Sequence, residues 1–495
     1  MYLHMKKIFL VIALNMSFFS IAQEMTTNDA LRYAVENMNG TARFRGMSGA
    51  FGAVGGDLSA ININPAGSLF FNNNFASATI SSFNNSNNAN YFGTKNKENF
   101  STLDLNQIGA VLVFNDTSGK SEWNKISVSL NYDNTNNFDN RLFTSGINPF
   151  NSISNYFVDQ ANFFADTPFN DYQFDMGFET YIINPHPTIP NQYVSNVSPG
   201  GNYYQDYFAT SNGYNGKLTA NVATSYKDKL FLGINLNAHF TDYVLTTSLY
   251  ENNDNPENPN TQPTVRNIVF DNQLSTYGSG FSFNLGAIYK VNESLRLGAS
   301  YESPTWYNLN DELVQDLYTY GNVNVPSGDE SRYYGSPIFV FPTYRLRTPS
   351  KITGSAAYII NKKGLISIDV ATKDYSNIEY KNTNQNNFRD LNSQMSTELK
   401  NAYEIRIGGE YKIKQWSLRG GYRFEESPYE TGDIIGDLTG YSAGVGYNFG
   451  ESKLDLSYAN SHRNYDQNLI SSGMTDTARI RNVQNNVTLT YSINF

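Results

Sequence analysis

The residues closest to a catalytic pattern are Gly46-Met47-Ser48-Gly49-Ala50, one position short of the Gly-x-Ser-x-Gly elbow that exposes a nucleophilic serine. The last position is Ala and no strand precedes the run, so Ser48 reads as a packing residue. Gly49, Gly52 and Gly55 have the spacing of a phosphate loop, yet nothing like Gly-Lys-Ser/Thr closes it. His186, His239 and His462 stand far apart and none has metal-ligand spacing to another. Asn252, Asp254 and Glu257 could hold a surface calcium ion, a pattern that any Asn/Asp loop produces. The chain has no cysteine, which excludes disulfides, thiolate metal sites and a lipid-modified cysteine anchor. No catalytic residue, cofactor or metal site is expected, and the chain does not read as an enzyme.

The charged residues follow a clearer rule. Over residues 401–425, Glu404, Arg406, Glu410, Arg419, Arg423 and Glu425 alternate with Tyr403, Ile405, Ile407, Leu418, Tyr422 and Phe424. Successive side chains of a strand point to opposite faces, so one face is charged and the other apolar. The same alternation places Leu230, Leu232, Ile234, Leu236, Ala238 and Phe240 on one side and Gly233, Asn235, Asn237 and His239 on the other. His239 therefore reads as a hydrogen-bonded residue of a polar wall. The carboxy terminus repeats the pattern, with Val487, Leu489, Tyr491, Ile493 and Phe495 against Thr488, Thr490, Ser492 and Asn494. An apolar face toward lipid and a polar face toward a lumen define a strand of an outer-membrane barrel.

The elements that carry this pattern can be counted. Period-2 runs occupy 74–83, 105–115, 123–133, 214–226, 229–245, 275–291, 293–303, 350–361, 364–375, 401–413, 415–425, 438–449, 452–462 and 484–495. Tight turns at Asp228, Asn292, Lys362-Lys363, Lys414 and Gly450-Glu451 alternate with long loops, the largest spanning 134–213. That predicts an all-β transmembrane protein: a 14-stranded antiparallel up-and-down barrel with a periplasmic carboxy terminus and long extracellular loops. Loop residues Tyr156-Phe157, Phe163-Phe164 and Tyr203-Tyr204 would form either a ligand-capturing lip or packing between loops.

Composition agrees. Charged residues make up 16% and aromatics 15%, against about 25% charged residues in an ordinary soluble domain. Lys6 and Lys7, the apolar stretch from Ile8 to Ile21 and Ser20-Ile21-Ala22 read as a signal peptide over residues 1–22. Setting Lys6 and Lys7 aside leaves 33 basic against 45 acidic residues, the wrong sign for nucleic acid.

Residues 23–67 do not read as a strand. Asn28 and Asp29 can cap a short helix with Leu31, Ala34 and Val35 on one face. A glycine-rich stretch follows from Gly46 to Gly67, whose small residues suit compact packing inside a barrel. Gly49-Ala50-Phe51, Asp57, Ser59-Ala60 and Asn64-Pro65-Ala66-Gly67 resemble the hatch signature of the FadL/TodX family of outer-membrane hydrophobic-compound transporters. The resemblance continues through Leu297–Pro304, Thr348-Pro349-Ser350, Asp369 to Ser376, Leu418–Tyr422 and Gly444–Tyr447. It implies a fourteen-stranded barrel over 68–495, a plug over 23–67, and passive uptake of long-chain fatty acids or other apolar molecules. Its surroundings would be outer-membrane lipid and lipopolysaccharide. Members with a lateral exit have a kinked third strand, whereas Ile126–Tyr132 contains neither Gly nor Pro.

Arg43 and Arg45 precede the hatch glycines, and the inward carboxylates Asp369, Glu404 and Glu410 are the expected partners that hold the plug. No energy-coupling motif is visible, so diffusion down a gradient is the expected mode. Two functions remain open at this point. One is a conduit for a hydrophobic small molecule; the other is a structural barrel with a permanently closed plug, serving a larger outer-membrane secretion or assembly complex through its large loops.

Overall fold

A computed structural model describes residues 25–116, 121–163, 172–256, 264–324, 328–361, 363–381, 386–432 and 434–495. The expected signal peptide, Phe164, Glu257 and Lys362 lie outside them. Fourteen strands form the barrel: β1 (Phe75–Tyr91), β2 (Thr94–Asn115), β3 (Trp123–Asn137), β4 (Tyr203–Tyr226), β5 (Leu230–Asn253), β6 (Thr264–Lys290) and β7 (Leu295–Glu302). Then come β8 (Lys351–Ile360), β9 (Gly364–Asp374), β10 (Asn401–Ile413), β11 (Trp416–Glu425), β12 (Leu438–Asn448), β13 (Ser452–Asn468) and β14 (Thr477–Asn494). Each pairs antiparallel with its neighbour, and β14 returns to β1 from Phe75↔Asn494 to Asn90↔Arg479. The barrel is closed, so no sheet edge faces lipid.

Register sets the two faces. Thr488, Thr490 and Ser492 are buried against the interior, while Leu489, Tyr491 and Ile493 are exposed to the outside. The charged strands obey the same rule: Arg406, Glu410, Arg419 and Arg423 are buried, and Tyr403, Ile407 and Leu418 are exposed. Trp123–Tyr226 and Trp416–Tyr447–Phe449 form ring contacts at the rim of tight turns, where an aromatic belt meets the membrane interface. Lys227, Asp228, Asn361 and Lys414 adopt positive φ in these turns.

Several strands run far beyond their apolar segments. β5 has 24 residues and β6 has 27, whereas a tilted strand crosses the bilayer in about 9–11. The expected loop 84–104 is in fact the top of a β1–β2 hairpin, paired down to Tyr91↔Thr94. Its Asn-rich residues carry no apolar alternation because this part lies above the lipid. They still pair, and Asn87 donates to Asn140 Oδ1 at 2.7 Å and to the Arg141 carbonyl at 2.6 Å. The expected loop 304–349 likewise contains Trp306–Asn324, which continues the wall along β6, and Gly328–Gly335, which pairs back onto it.

The expected loop 134–213 folds over the mouth. Asn140–Asn148 pairs with the top of β4, and helices Ser154–Phe163 and Tyr172–Glu179 pack beneath a short hairpin. Tyr156, Phe157 and Tyr203 are buried with Val265, Ile268 and Phe270, so these aromatics are packing residues and not a lip. Of the described members of these pairs, Phe163 and Tyr204 are exposed, at 81% and 41%. Glu251 anchors the lid: it accepts from Ser152 Oγ at 2.5 Å, Ile153 N at 2.8 Å and Gln205 Nε2 at 2.8 Å. Glu251→Ala leaves two buried donors, Ser152 Oγ and Ile153 N, without this acceptor, each costing about 1–3 kcal/mol, while Gln205 keeps the Asn151 carbonyl. Limited proteolysis on whole cells should then cut within 149–200 while the barrel stays resistant; an uncut lid would contradict this role.

Candidate functional site

The chain preceding β1 fills the lumen. α1 (Thr27–Ala34) is capped by Thr26 and not by Asn28 or Asp29; Asp29 sits at the third helical position and closes the capping box with Thr26. Arg32 pairs with Asp29 at 2.6 Å and lies over the Tyr243 ring, which fixes α1 in the upper lumen. α2 (Ala42–Gly46) is capped by Thr41, whose hydroxyl also contacts both Asp57 oxygens at 2.8 Å. Burial pushes the Asp57 carboxyl up, opposed by Arg43 and by donors from Thr41 and Ser59. Ser48 and Gly49 then turn through positive φ, and Ser48 meets Ser442 on β12 at 2.7 Å. After α3 (Ala60–Ile63), Asn64 caps the 3-10 turn Pro65–Phe70 by accepting from Ala66 N. Asn at the cap followed by Pro at the first helical position is the pairing this geometry favours.

The hatch meets the wall backbone to backbone. A methyl group at Gly298 would lie 2.4 Å from the Gly52 carbonyl oxygen, one at Gly408 2.4 Å from the Met47 oxygen, and one at Gly421 2.5 Å from the Met47 carbonyl carbon. At Gly233 it would meet Pro65, at Gly286 Asn64, and at Gly444 Gly46. These wall glycines, all inward on their strands, form a seat around the plug. Asn64 Nδ2 crosses it to the Ala287 carbonyl at 3.0 Å. Wall asparagines answer from other strands: Asn131 donates to Leu58 O, Asn221 to Pro65 O and Asn235 to Ile61 O. A β-bulge between Thr79 and Ile80 turns Asn106 inward, where it accepts from Gly40 N at 2.7 Å. The alternation in sequence placed Gly233 and Asn235 on the inward face, but not as the seat of the plug; glycine at an inward position of a membrane strand was the available signal.

The ion pairs differ from expectation in three places. Arg43 binds Glu410 at 2.9 Å, and Arg419 binds both Glu410 at 2.7 Å and Asp455 at 2.6 Å. Asp369 takes no arginine of the hatch; it accepts from the Phe51 and Gly52 amides at 2.9 and 3.0 Å. Glu404 faces Lys351 at 2.8 Å together with Arg406 and Arg423. Arg45 meets no carboxylate and lies instead near Ser81 and over the Phe83 ring. His239 is buried, with Nε2 2.8 Å from Ser282 Oγ. Among the described residues no group of three His, Asp or Glu could hold a metal.

A family model described as outer membrane protein transport protein (OMPP1/FadL/TodX) matches residues 21–494. The chain belongs to the FadL/TodX family. A Pseudomonas aeruginosa FadL homologue of known crystal structure shares 14% identity, with a TM-score of 0.56 over 93% of this chain and 100% of that one. The P. putida toluene transporter TodX gives 14% identity and 0.53 over 93% and 99%. An outer membrane protein of Neisseria meningitidis serogroup B, NMB0088, is 21% identical over 272 residues, 48% of this chain; the chain spans 56% of that relative's length. The protein is therefore an outer-membrane barrel of a family of transport proteins.

This FadL/TodX barrel departs from an open channel. Between α1, the hatch and the wall lies a cavity of about 80 Å3 lined by Glu36, Asp133, Lys217, His239, Glu302 and Lys373, too small and polar for an apolar solute. Nearer the mouth, a second cavity of about 160 Å3 is lined by Met25, Leu274, Leu313, Phe339, Phe341 and Tyr344 together with Asp29, Arg32, Gln173, Asp311 and Gln315. A third, of about 390 Å3, opens on the periplasmic side of the hatch. The third strand is unbroken across the membrane: β3 pairs with β2 from Lys125↔Asn115 to Asp133↔Gln107.

Proposed function

We propose that the protein admits small hydrophobic molecules, the size of one aromatic ring or a short acyl segment, through the outer membrane. The observation that carries this reading is the aromatic cavity beside α1. About 150 Å3 of apolar space suffices for benzene, and Phe339, Phe341 and Tyr344 supply the contact. The toluene transporter TodX supports a ring-sized cargo; long-chain fatty acids, the other cargo implied by family resemblance, exceed this cavity. The solute partitions from water onto these side chains, α1 and the hatch shift, and it moves on down its gradient. Burial of ligand surface drives the first step at roughly 25 cal/mol per Å2.

Cells of a host lacking such transporters should take up labelled toluene faster when they carry the protein than when they carry an empty vector. Equal rates would overturn the reading. Phe341→Ala should weaken toluene binding roughly tenfold, from about 60 Å2 of lost contact at about 25 cal/mol per Å2, measured by fluorescence titration of the purified barrel. The tightness of the hatch seat favours the second reading, a closed barrel subunit of a larger complex. Unchanged toluene uptake together with a partner recovered in mild detergent would favour it.

A further inference from the structure

We propose that a single small anion of the halide class, chloride under ordinary conditions, binds at Arg45 as the counter-ion that joins hatch to wall. Arg406, Arg419, Arg423 and Arg45 are the arginines buried to nine-tenths or more among the described residues. The first three each meet a carboxylate. Arg45, at 2% exposure, meets none. Its Nη1 is 3.5 Å from Ser81 Oγ, its Nη2 meets the Asn486 side-chain amide at 2.9 Å with the amide turned so that its oxygen accepts, and its Nε has no hydrogen-bond partner. A buried charge with two neutral partners is expensive unless an ion of opposite sign joins it.

The surroundings deepen the deficit. Glu404 and Glu425, the carboxylates that flank Arg423, are already shared among Lys351, Arg406, Arg423 and Arg463. The guanidiniums of Arg45 and Arg423 border one small cavity of about 30 Å3, whose other walls include Phe83, Asn460, Gln484 and Asn486 and no carboxylate. A cavity of roughly 10–15 Å3 already admits a water, so this one has room for a single halide. The chemistry is that of an anion receptor: the Nε–H groups of Arg45 and Arg423, neither of them hydrogen-bonded, beside one aromatic edge. Because Arg45 belongs to the hatch and Arg423, Asn460 and Asn486 to β11, β13 and β14, the ion would link plug to wall by a contact that can be removed without breaking the chain.

The test uses the full-length protein in detergent. Crystals grown with bromide in place of chloride should show an anomalous peak within hydrogen-bond reach of Arg45; a water there without anomalous signal overturns the proposal. Thermal unfolding should occur at a higher temperature in sodium chloride or bromide than in sodium isethionate, an anion too large for the cavity, at equal ionic strength. The difference should saturate with halide concentration, as expected for a ligand bound only by the folded form. Arg45→Met should abolish it, and Lys414→Met, which removes an exposed cation of the rim, should retain it. A halide dependence that persists in R45M would overturn the assignment, and the bromide crystal stands even where R45M fails to fold.

Discussion

Leucine at both Gly298 and Gly421 should open the barrel. At each position even a methyl group would come within about 2.5 Å of hatch backbone, Gly52 O in one case and the Met47 carbonyl carbon in the other. Backbone on both sides leaves no flexible side chain to give way, and overpacking of a close-fitting interior costs about 1–3 kcal/mol at each site. The strands themselves lose little, because the outward faces and the ladders β7–β8 and β11–β12 are untouched. The hatch should therefore leave its seat while the barrel persists. In planar bilayers the double variant should show stable ion conductance where the parent is closed, and it should keep the heat-dependent gel mobility of a folded barrel. Gly354, whose added methyl meets nothing within 4 Å, supplies the control: G354A should stay closed. A doubly substituted barrel as silent as the parent would show that the glycines do not seat the plug.

Glu410→Ala should release the hatch by a different route. The carboxylate is 2% exposed and shared by Arg43 of the hatch and Arg419 of the wall. Arg419 keeps Asp455 when Glu410 is gone. Arg43, one-fifth exposed, keeps the Gly56 carbonyl, the face of Phe51 and the more distant charges of Asp57 and Asp455, so a half-buried cation loses its carboxylate partner. Losing the charge-assisted hydrogen bond of a half-buried arginine costs about 1.5–3 kcal/mol. Thermal unfolding should shift down, and protease added from the periplasmic side should cut residues 40–60, which the intact protein protects. Because the loss arises from an uncompensated Arg43, the double variant R43M/E410A should recover part of it, whereas independent losses would add. Additive losses would mean that the two residues act separately.

The barrel was legible because lipid imposes a strict period: residues such as Leu230 through Phe240 must alternate, and a one-residue slip would turn every apolar side chain inward. That constraint ends where the lipid ends. Asn84–Asn90 and Thr264–Leu274 form strands whose two faces are both polar or both covered, so no alternation marked them, and the expected loops were strands. The hatch was legible as small residues, and Asn64-Pro65-Ala66-Gly67 as part of a resemblance to the family's hatch signature, but its grip was not. Sequence shows that Arg43 and Arg45 are two residues apart; it does not show that one reaches Glu410 and the other a wall of serine and asparagine. The cap on α1 fell on Thr26 because its hydroxyl accepts from the Asp29 N–H while the Asp29 carboxylate accepts from the Thr26 N–H, a choice that two adjacent Asn and Asp residues concealed.

The position of α1 bears on the order of assembly. The chain runs from Met25 near the mouth, down through the hatch, and emerges at the periplasmic rim to begin β1. The last pairing in sequence, β14 to β1, joins the two strands farthest apart along the chain. A segment keyed to six separate strands by backbone contact has no clear path into a finished cylinder. The wall must therefore form as a curved sheet around its own leader, with α1 and the glycine run already in place when the seam zips shut. Sealing the membrane and stoppering the pore are one kinetic event, and no intermediate need leave the cell with an unguarded hole.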